Sequence, residues 1–305
     1  MNALYRTVGI SKQGFHQQLN SYLLAQDEQF QLVVVISQIR KEHPQLSARE
    51  MYFMIQPECM GRDKFEAFCF KNGFKIERKR SFYRTTNSLG VTRFENLVMG
   101  RELKGLNQVW VSDITFYRIE DRFYFLTFIM DLYSRRIVGY SASQNLLTEH
   151  TTLPALEMAI SHRPIKPSLI LHSDGGGQYY SKQFLNLTRE HKIINSMAEN
   201  VFENPNAERL NGTLKNDYLI HYNPRNFIAL ERDLRRAVTN YNQRPHSWHK
   251  RLSPVMFEEQ CWNMDNSQKT KNHHGRQLAV LRIDHIPDII TAKKIRLKTV
   301  NPIQA

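Results

Sequence analysis

The chain has 305 residues, of which 41% are hydrophobic and 11% aromatic, a composition typical of globular packing that excludes a disordered protein. It carries 42 Lys and Arg against 29 Asp and Glu, and a formal net charge of +13 predicts a polyanionic partner. No apolar run approaches the roughly 20 residues that span a bilayer, and the three cysteines lack zinc-ligand spacing. We therefore expect two or three folded units, reduced thiols, a cytoplasmic location and no membrane partner.

Residues 1–76 are predicted to form a helical region. Ser11 is a suitable helix cap, and Ser47 followed three residues later by Glu50 matches a capping box. One helix is predicted to begin behind Ser11, and three more are predicted at about 27–42, 47–55 and 62–71. Short helices joined by turns are typical of helix-turn-helix DNA-binding modules, with a plain helical bundle as the alternative.

Residues 77–106 are predicted to be a basic linker. The consecutive side chains Arg78, Lys79 and Arg80 are candidate phosphate contacts, although such a run is often only solvated. Residues 1–100 and 263–305 each carry a net charge of +5, whereas residues 101–262 carry +3. Positive charge concentrated in the flanks suits basic arms that hold DNA around a catalytic core, and residues 263–305 form a basic C-terminal extension.

From residue 107 to residue 262 the hydrophobic pattern changes. Period-two runs predict three strands at about 109–119, 123–133 and 137–141. Helices then alternate with short strands; we predict helices at about 148–162, 182–192, 205–219, 226–242 and 254–260, and strands at 169–172 and 193–197. Three antiparallel strands followed by alternating helices and strands indicate an α/β fold with a ribonuclease-H-like mixed sheet. Active residues in such sheets gather at strand ends.

Three carboxylates are the candidate catalytic residues: Asp113 at the end of an apolar strand-like run, Asp174 before three glycines, and Glu208 near the start of a predicted helix. Asp113 and Asp174 are both expected at strand ends. Alone, each has an ordinary explanation as a strand, turn or solvated residue. Converging carboxylates bind hard cations such as Mg²⁺, and two ions about 3.5–4 Å apart stabilise the attacking and leaving oxygens of an in-line displacement. Together with the basic composition, the three acids indicate a nuclease or a transposase.

The surroundings of Glu208 strengthen this interpretation. Asn204 is a good N-cap and Pro205 a good first helical residue, which places Glu208 in the first turns of its helix. Asn211 and Lys215 follow along the same helix face. Glu208 as a metal ligand and Lys215 as a phosphate contact would then lie on the same face of the helix.

Residues 107–262 resemble the catalytic core of the DDE transposases related to retroviral integrases, and in particular the second-reading-frame product of bacterial insertion sequences of the IS3 family. The resemblance rests on five ordered motifs: Trp110 to Thr115, Met130 to Gly139, His172-Ser173-Asp174 with Gln178-Tyr179, Asn206-Ala207-Glu208, and Tyr241 to Ser247 with Ser253-Pro254. The region before residue 76 is similar to that family's helix-turn-helix lead-in.

The resemblance implies a mechanism. Asp113, Asp174 and Glu208 would hold two Mg²⁺ ions, for which Mn²⁺ substitutes, and one strand would be cut at each element end. The freed 3′-hydroxyl then attacks another phosphodiester without a covalent protein–DNA intermediate. His172 and Asp131 are expected to have structural or supporting roles.

The resemblance also implies partners. These are the terminal inverted repeats of the element and its target DNA, further copies of the chain assembled on DNA, and an upstream-frame helix-turn-helix protein to which the chain is often fused. The location would be the bacterial cytoplasm, associated with the nucleoid. Lys215, Arg244 and His246 join Arg78, Lys79 and Arg80 as candidate DNA contacts.

Several alternatives stay open at this point. Only 33 residues separate Asp174 from Glu208, two fewer than that family usually has, which leaves Glu203 as a weaker candidate for the third acid. The basic extension after residue 262 is longer than the family's usual ending. Two other functions are possible: a plain ribonuclease-H-type nuclease, and a catalytically silent DNA-binding protein descended from a transposase.

Overall fold

A five-stranded mixed sheet lies at the centre of the computed structural model, which describes residues 9–76, 94–198 and 204–271. Its strands are β1 (Val109–Ile119), β2 (Arg122–Asp131), β3 (Ile137–Ser143), β4 (Ile170–Ser173) and β5 (Ile194–Met197). They are ordered β3-β2-β1-β4-β5, with β1 to β3 antiparallel and with β4 and β5 added parallel to β1. This order confirms the predicted ribonuclease-H-like α/β layout.

Helices cover both faces of the sheet. The described helices are α1 (Lys12–Glu42), α2 (Ala48–Ile55), α3 (Arg62–Lys71), α4 (Thr152–His162), α5 (Lys182–Glu190), α6 (Pro205–Thr213), α7 (Ile220–Tyr222), α8 (Phe227–Gln243) and α9 (Pro254–Lys271). On β1, Val109 and Val111 pack with α6 and α8, while Trp110 packs with α4 and α5. Because both faces are buried, β1 begins as a continuous apolar run.

Four predicted elements differ from the observed ones. The helix predicted behind Ser11 and the one predicted at about 27–42 are one continuous helix of 31 residues, α1. No Gly or Pro interrupts the chain between Gly14 and Pro44. Strand β2 ends at Asp131, whose Oδ1 accepts hydrogen bonds from the backbone of Tyr133 and Ser134 and so forms the turn. The predicted helix at 205–219 becomes π-helical over Leu214–Leu219, and α9 runs well past residue 260.

Residues Met1–Trp262 form one compact unit, and Asn263–Ala305 form a second. Within the first unit, α1 to α3 have a small core of their own around Ile36, Met51 and Phe65. Most of the predicted linker and most of the C-terminal extension lie outside the described residues. Within the described part of the chain, no helix combines the length and apolar character that crossing a bilayer requires.

The end of α1 binds to the segment that follows α6. The Glu42 carboxylate accepts hydrogen bonds from Arg236 at 2.9 and 2.8 Å, and the Glu42 carbonyl accepts one from Tyr222 at 2.6 Å. Next to it, His43 Nδ1 lies 3.3 Å from the Tyr218 hydroxyl. Burial lowers the pKa of His43 to about 4, so its imidazole is neutral in the folded protein at pH 7.

Gly139 on β3 permits the close approach of α4, because a Cβ at this position would overlap the carbonyl oxygen of Ala155. We expect Gly139→Ala to lower the free energy of unfolding by about 1–3 kcal/mol, measured by urea denaturation. Gly212→Ala is the matched control, since nothing lies within 4 Å of the added methyl group and helix propensity favours alanine. Equal stability of the two variants would contradict this account of the β3–α4 contact.

His43 predicts a pH dependence of stability. Its pKa is about 4 in the folded protein against an ordinary value of 6.5, so between these limits the unfolded chain binds a proton that the native protein does not. Stability is therefore fully present above pH 6.5 and falls as the pH drops toward 4, by at most about 3 kcal/mol from this group. Urea unfolding at a series of pH values should show a shallower slope for His43→Gln than for the wild type. An unchanged slope would show that His43 is not the titrating group.

Candidate active site

Asp113 lies on β1, and Asp174 directly follows the neighbouring strand β4. The parallel register pairs Val111 of β1 with His172 of β4, and two residues further along both strands this register leads to Asp113 and Asp174. The Ser112 and Tyr179 hydroxyls lie 2.8 Å apart and join β1 to the turn that follows Asp174. The register therefore brings together the two acids that the sequence predicted to share a site. The predicted strand-end position is wrong for Asp113, which lies inside β1, whereas Asp174 does follow the end of β4.

Short hydrogen bonds orient both carboxylates. Asp113 Oδ1 accepts from the Ile114 backbone at 2.9 Å, and Oδ2 accepts from Asn211 Nδ2 at 2.6 Å. Asp174 Oδ1 accepts from the backbone of Gly176 at 3.2 Å. The remaining acceptor capacity of these oxygens is available to a further ligand.

Glu208 lies on the first turn of α6 and is exposed. The helix is held against β1 by Asn204, whose Nδ2 donates to the Ser112 carbonyl at 3.1 Å, and by the bond from Asn211 to Asp113. The expected cap by the Asn204 side chain is wrong, because this contact with β1 uses its amide group instead. No group of three or more His, Cys, Asp or Glu among the residues described is close enough to hold a metal ion.

The electrostatics of the site are dominated by negative charge. Burial, and then the neighbouring charge of Asp174, raise the pKa of Asp113 to about 7, and Glu208 adds a smaller effect in the same direction. Burial also raises the pKa of Asp174. Lys215 offsets part of this charge; its Nζ donates to Thr115 Oγ1 at 2.8 Å, and its own pKa is lowered by burial.

The chemistry of this donor set fits a hard divalent cation, although in the described residues the three carboxylates do not converge closely enough to hold one. Asp113, Asp174 and Glu208 offer only carboxylate oxygens, which Mg²⁺ prefers. The Oδ1 atoms of Asn204 and Asn211 are buried and have no hydrogen-bond partner within the described ranges. Such acceptors suit the water molecules that Mg²⁺ usually keeps around it.

Other residues singled out from the sequence have structural contacts. Arg244 donates to Asp217 at 3.1 Å and lies over the rings of Tyr218 and Tyr241, and it is largely buried. His246 Nε2 lies 3.3 Å from the Tyr241 carbonyl, and burial lowers its pKa to about 3. Arg78, Lys79, Arg80 and Glu203 lie outside the described residues.

The two expected supporting residues are also buried. Asp131 accepts three backbone hydrogen bonds, including one from Asn107 at 2.7 Å. His172 Nδ1 lies 2.9 Å from Ser196 Oγ on β5. These contacts agree with the structural roles that we predicted for both residues.

The sequence interpretation missed the roles of two asparagines. Asn204, Glu208 and Asn211 are spaced four and three residues apart, the spacing of one helix face. This polar face, which begins just before the helix, was the sequence feature that could have predicted a shared contact of both amide groups with β1. Which strand atoms they contact depends on how α6 packs.

Comparison with known proteins gives consistent matches. Residues 104–200 match the family model of the integrase core domain. The chain is 29% identical to an uncharacterized 31 kDa protein of insertion element IS600 of Shigella sonnei, over 84% of this chain and 97% of that protein. It is 31% identical to the transposase InsF of insertion sequence IS3A of Escherichia coli K12, over 62% of this chain and 67% of that protein.

Among solved structures, the catalytic core domain of the HTLV-2 integrase in complex with magnesium gives a TM-score of 0.40. Its sequence is 23% identical, and the match covers 50% of this chain and 95% of that one.

The paired aspartates predict opposite effects of two substitutions on the pKa of Asp113 in the metal-free protein. Asp174→Asn removes a neighbouring negative charge, so the pKa of Asp113 should fall below its value of about 7. Lys215→Met removes a positive charge and should raise it. Carboxyl chemical shifts followed by NMR during a pH titration would measure both. A pKa of Asp113 that is indifferent to Asp174→Asn would show that the two acids are not coupled.

Proposed function

Because the chain belongs to the IS3 family of insertion-sequence transposases, which are DDE-type polynucleotidyl transferases, we propose that Asp113, Asp174 and Glu208 form its divalent-metal site. The observation that carries this proposal is the parallel register of β1 with β4, which places Asp113 beside Asp174 just after β4, with the helix of Glu208 hydrogen-bonded to Asp113 through Asn211. Proteins with this function cut DNA at the ends of their element and join it to target DNA.

The metal requirement follows from the charge of the site. Two Mg²⁺ ions, or Mn²⁺ in their place, supply Lewis-acid stabilisation of the attacking and leaving oxygens when bound. The raised pKa of Asp113 supports this proposal, since the metal-free carboxyl is disfavoured in its charged form and a cation relieves that repulsion. Asn211 fixes the orientation of Asp113, and Asn204 holds the start of α6 beside it.

The remaining work of the protein is to position the DNA. The 3′-hydroxyl freed by cleavage of one strand attacks a second phosphodiester directly, so the chain contributes placement and charge stabilisation rather than a nucleophile. Lys215, half-buried beside Asp113, is proposed to contact phosphate near the reacting centre. Arg244 and His246 are less suited to DNA contact because their side chains are used in internal contacts.

The flanking regions are proposed to hold the ends of the element. Residues 1–76 would bind the terminal inverted repeats, and the basic residues Arg78, Lys79 and Arg80 of the linker 77–106 would contact phosphates between them and the core 107–262. Copies of the chain would assemble on DNA, and an upstream-frame helix-turn-helix protein is a further proposed partner. Residues 263–305 would remain a basic extension, and the proposed location is the bacterial nucleoid. The family assignment does not favour a silent DNA-binding protein or a plain nuclease.

The test uses the full chain and duplex DNA that carries the ends of its own element. Cleavage and joining should require Mg²⁺ or Mn²⁺, while Ca²⁺ should support binding only, because its looser coordination positions the oxygens poorly. Asp113→Asn, Asp174→Asn and Glu208→Gln should each lower joining by on the order of 1,000-fold and leave DNA affinity unchanged. Combining them should cost little more, since residues that act as one unit are not additive.

Glu203→Gln is the matched control for the third acid and should keep activity within a few-fold. Glu208→Gln preserves the shape of the side chain and removes only its charge. An active Glu208→Gln beside an inactive Glu203→Gln would assign the third ligand to Glu203. Robust cleavage in EDTA would contradict the metal proposal altogether.

A further inference from the structure

Trp248 is the most exposed of the three tryptophans. Its relative exposure is 68%, whereas Trp262 is 36% exposed and Trp110 is fully buried. The residues around Trp248 in the chain are not loosely held, since His249 and Ser253 are both 4% exposed. A large indole that faces water from a well-packed turn is available for binding a partner.

The turn that carries Trp248 is fixed in place. It is a single 3₁₀ turn, Ser247–His249, between α8 and α9. His249 Nε2 lies 2.8 Å from the Ser134 carbonyl, and its ring stacks on Phe257 with the centroids 3.9 Å apart. The backbone that carries the indole is therefore held rigidly, as precise binding requires.

Trp248 is also linked to the helix of Glu208. The Arg135 guanidinium lies 4.7 Å from the centre of the indole ring. The same guanidinium donates a short hydrogen bond to Asn206 Oδ1, two residues before Glu208 on α6. Arg135 adopts a left-handed backbone conformation with φ of 60° in the turn between β2 and β3, which the surrounding contacts must maintain. Arg135 thus links the indole to the start of the helix that carries the proposed third acid.

The charge around Trp248 favours a nucleic acid over a protein partner. Arg135 contacts the ring, Arg209 is exposed and close enough to act on the charge of Arg135, and Lys250 is exposed two residues after Trp248. Among the described residues, no other large apolar side chain between Ile228 and Met256 is strongly exposed. An exposed aromatic ring among cations suits base stacking with neighbouring phosphate contacts.

We propose that Trp248 is a stacking platform for an unpaired base of the DNA strand end that enters the active site. In a duplex each base is held in its pair and covered by its neighbours, so an unpaired base is the one free to turn onto a protein ring. The Arg135 guanidinium orients the ring, and Arg209 and Lys250 are placed to contact the phosphates of the same strand. This inference rests on the proposed function, because it takes DNA ends as the substrate.

The test compares two DNA probes in EDTA, so that binding is measured without cleavage. One is a 30-base-pair duplex with three unpaired nucleotides at one end, and the other is the same duplex with that end closed by full pairing. In the Trp262→Phe background, where Trp110 is buried, fluorescence of Trp248 should be quenched by the first duplex and not by the second. Trp248→Ala should weaken binding of the first duplex by about 5- to 150-fold and of the second by less than about two-fold.

Controls separate stacking from other roles. Trp248→Tyr should restore most of the preference for the unpaired end, because a phenol ring also stacks, and Trp262→Ala should leave it unchanged. Equal loss of affinity for both duplexes in Trp248→Ala would overturn the stacking role. Unchanged DNA binding together with an altered sedimentation coefficient would overturn it in favour of a protein contact. Wild-type protein that binds neither duplex would instead defeat the proposed function on which the inference rests.

Discussion

The burial of two neighbouring carboxyl groups, Asp113 and Asp174, together with their repulsion, is the constraint around which the catalytic region is arranged. Parallel pairing of β1 with β4 brings the two acids to adjacent positions. Burial, and then the charge of Asp174, raise the pKa of Asp113 to about 7, and burial raises the pKa of Asp174. At neutral pH this raised pKa of Asp113 lowers stability relative to an ordinary exposed aspartate, because the unfolded chain carries the charge more easily. Such a loss of stability is expected at a functional site, where charged groups are positioned to bind a ligand.

The surrounding elements keep that repulsion from separating the strands. Ser112 and Tyr179 join β1 to the turn that follows Asp174, and Asn204 and Asn211 bind α6 to β1. Beneath them, the buried apolar residues of β1 and β2 pack against helices on both faces of the sheet. The polar network is therefore supported by a hydrophobic core. Loss of the Asn211 amide would free the Asp113 carboxylate to change its orientation, and the sheet would stay folded.

The helical N-terminal region is attached to the same part of the core. Glu42 and His43 contact Arg236, Tyr222 and Tyr218, and the two tyrosines lie in the helical stretch that continues directly from α6. The ion pair of Glu42 with Arg236 is partly exposed and contributes modestly to stability, whereas the neutral, buried His43 belongs to the packed interface. The backbone that receives the N-terminal helices is thus continuous with the helix of Glu208.

The sequence by itself determined the strands, most helices and the two aspartates as neighbouring acids, although Asp113 lies inside β1 and not at its end. These features depend on local periodicity, and β1 at Val109–Ile119 and α3 at Arg62–Lys71 have the predicted limits. Local motifs were likewise enough to identify the family. The placement of Glu208 on the first turn of α6 also followed from Pro205.

Only the tertiary structure decided which side chains support the site. The bond from Asn211 to Asp113 joins residues 98 positions apart, and that between Arg135 and Asn206 joins residues 71 apart. The internal contacts of Arg244 and His246, which the sequence had suggested for DNA, also depend on how α8 and the following turn pack. Contacts of this kind are set by packing between elements, on which a local pattern of residues places no constraint.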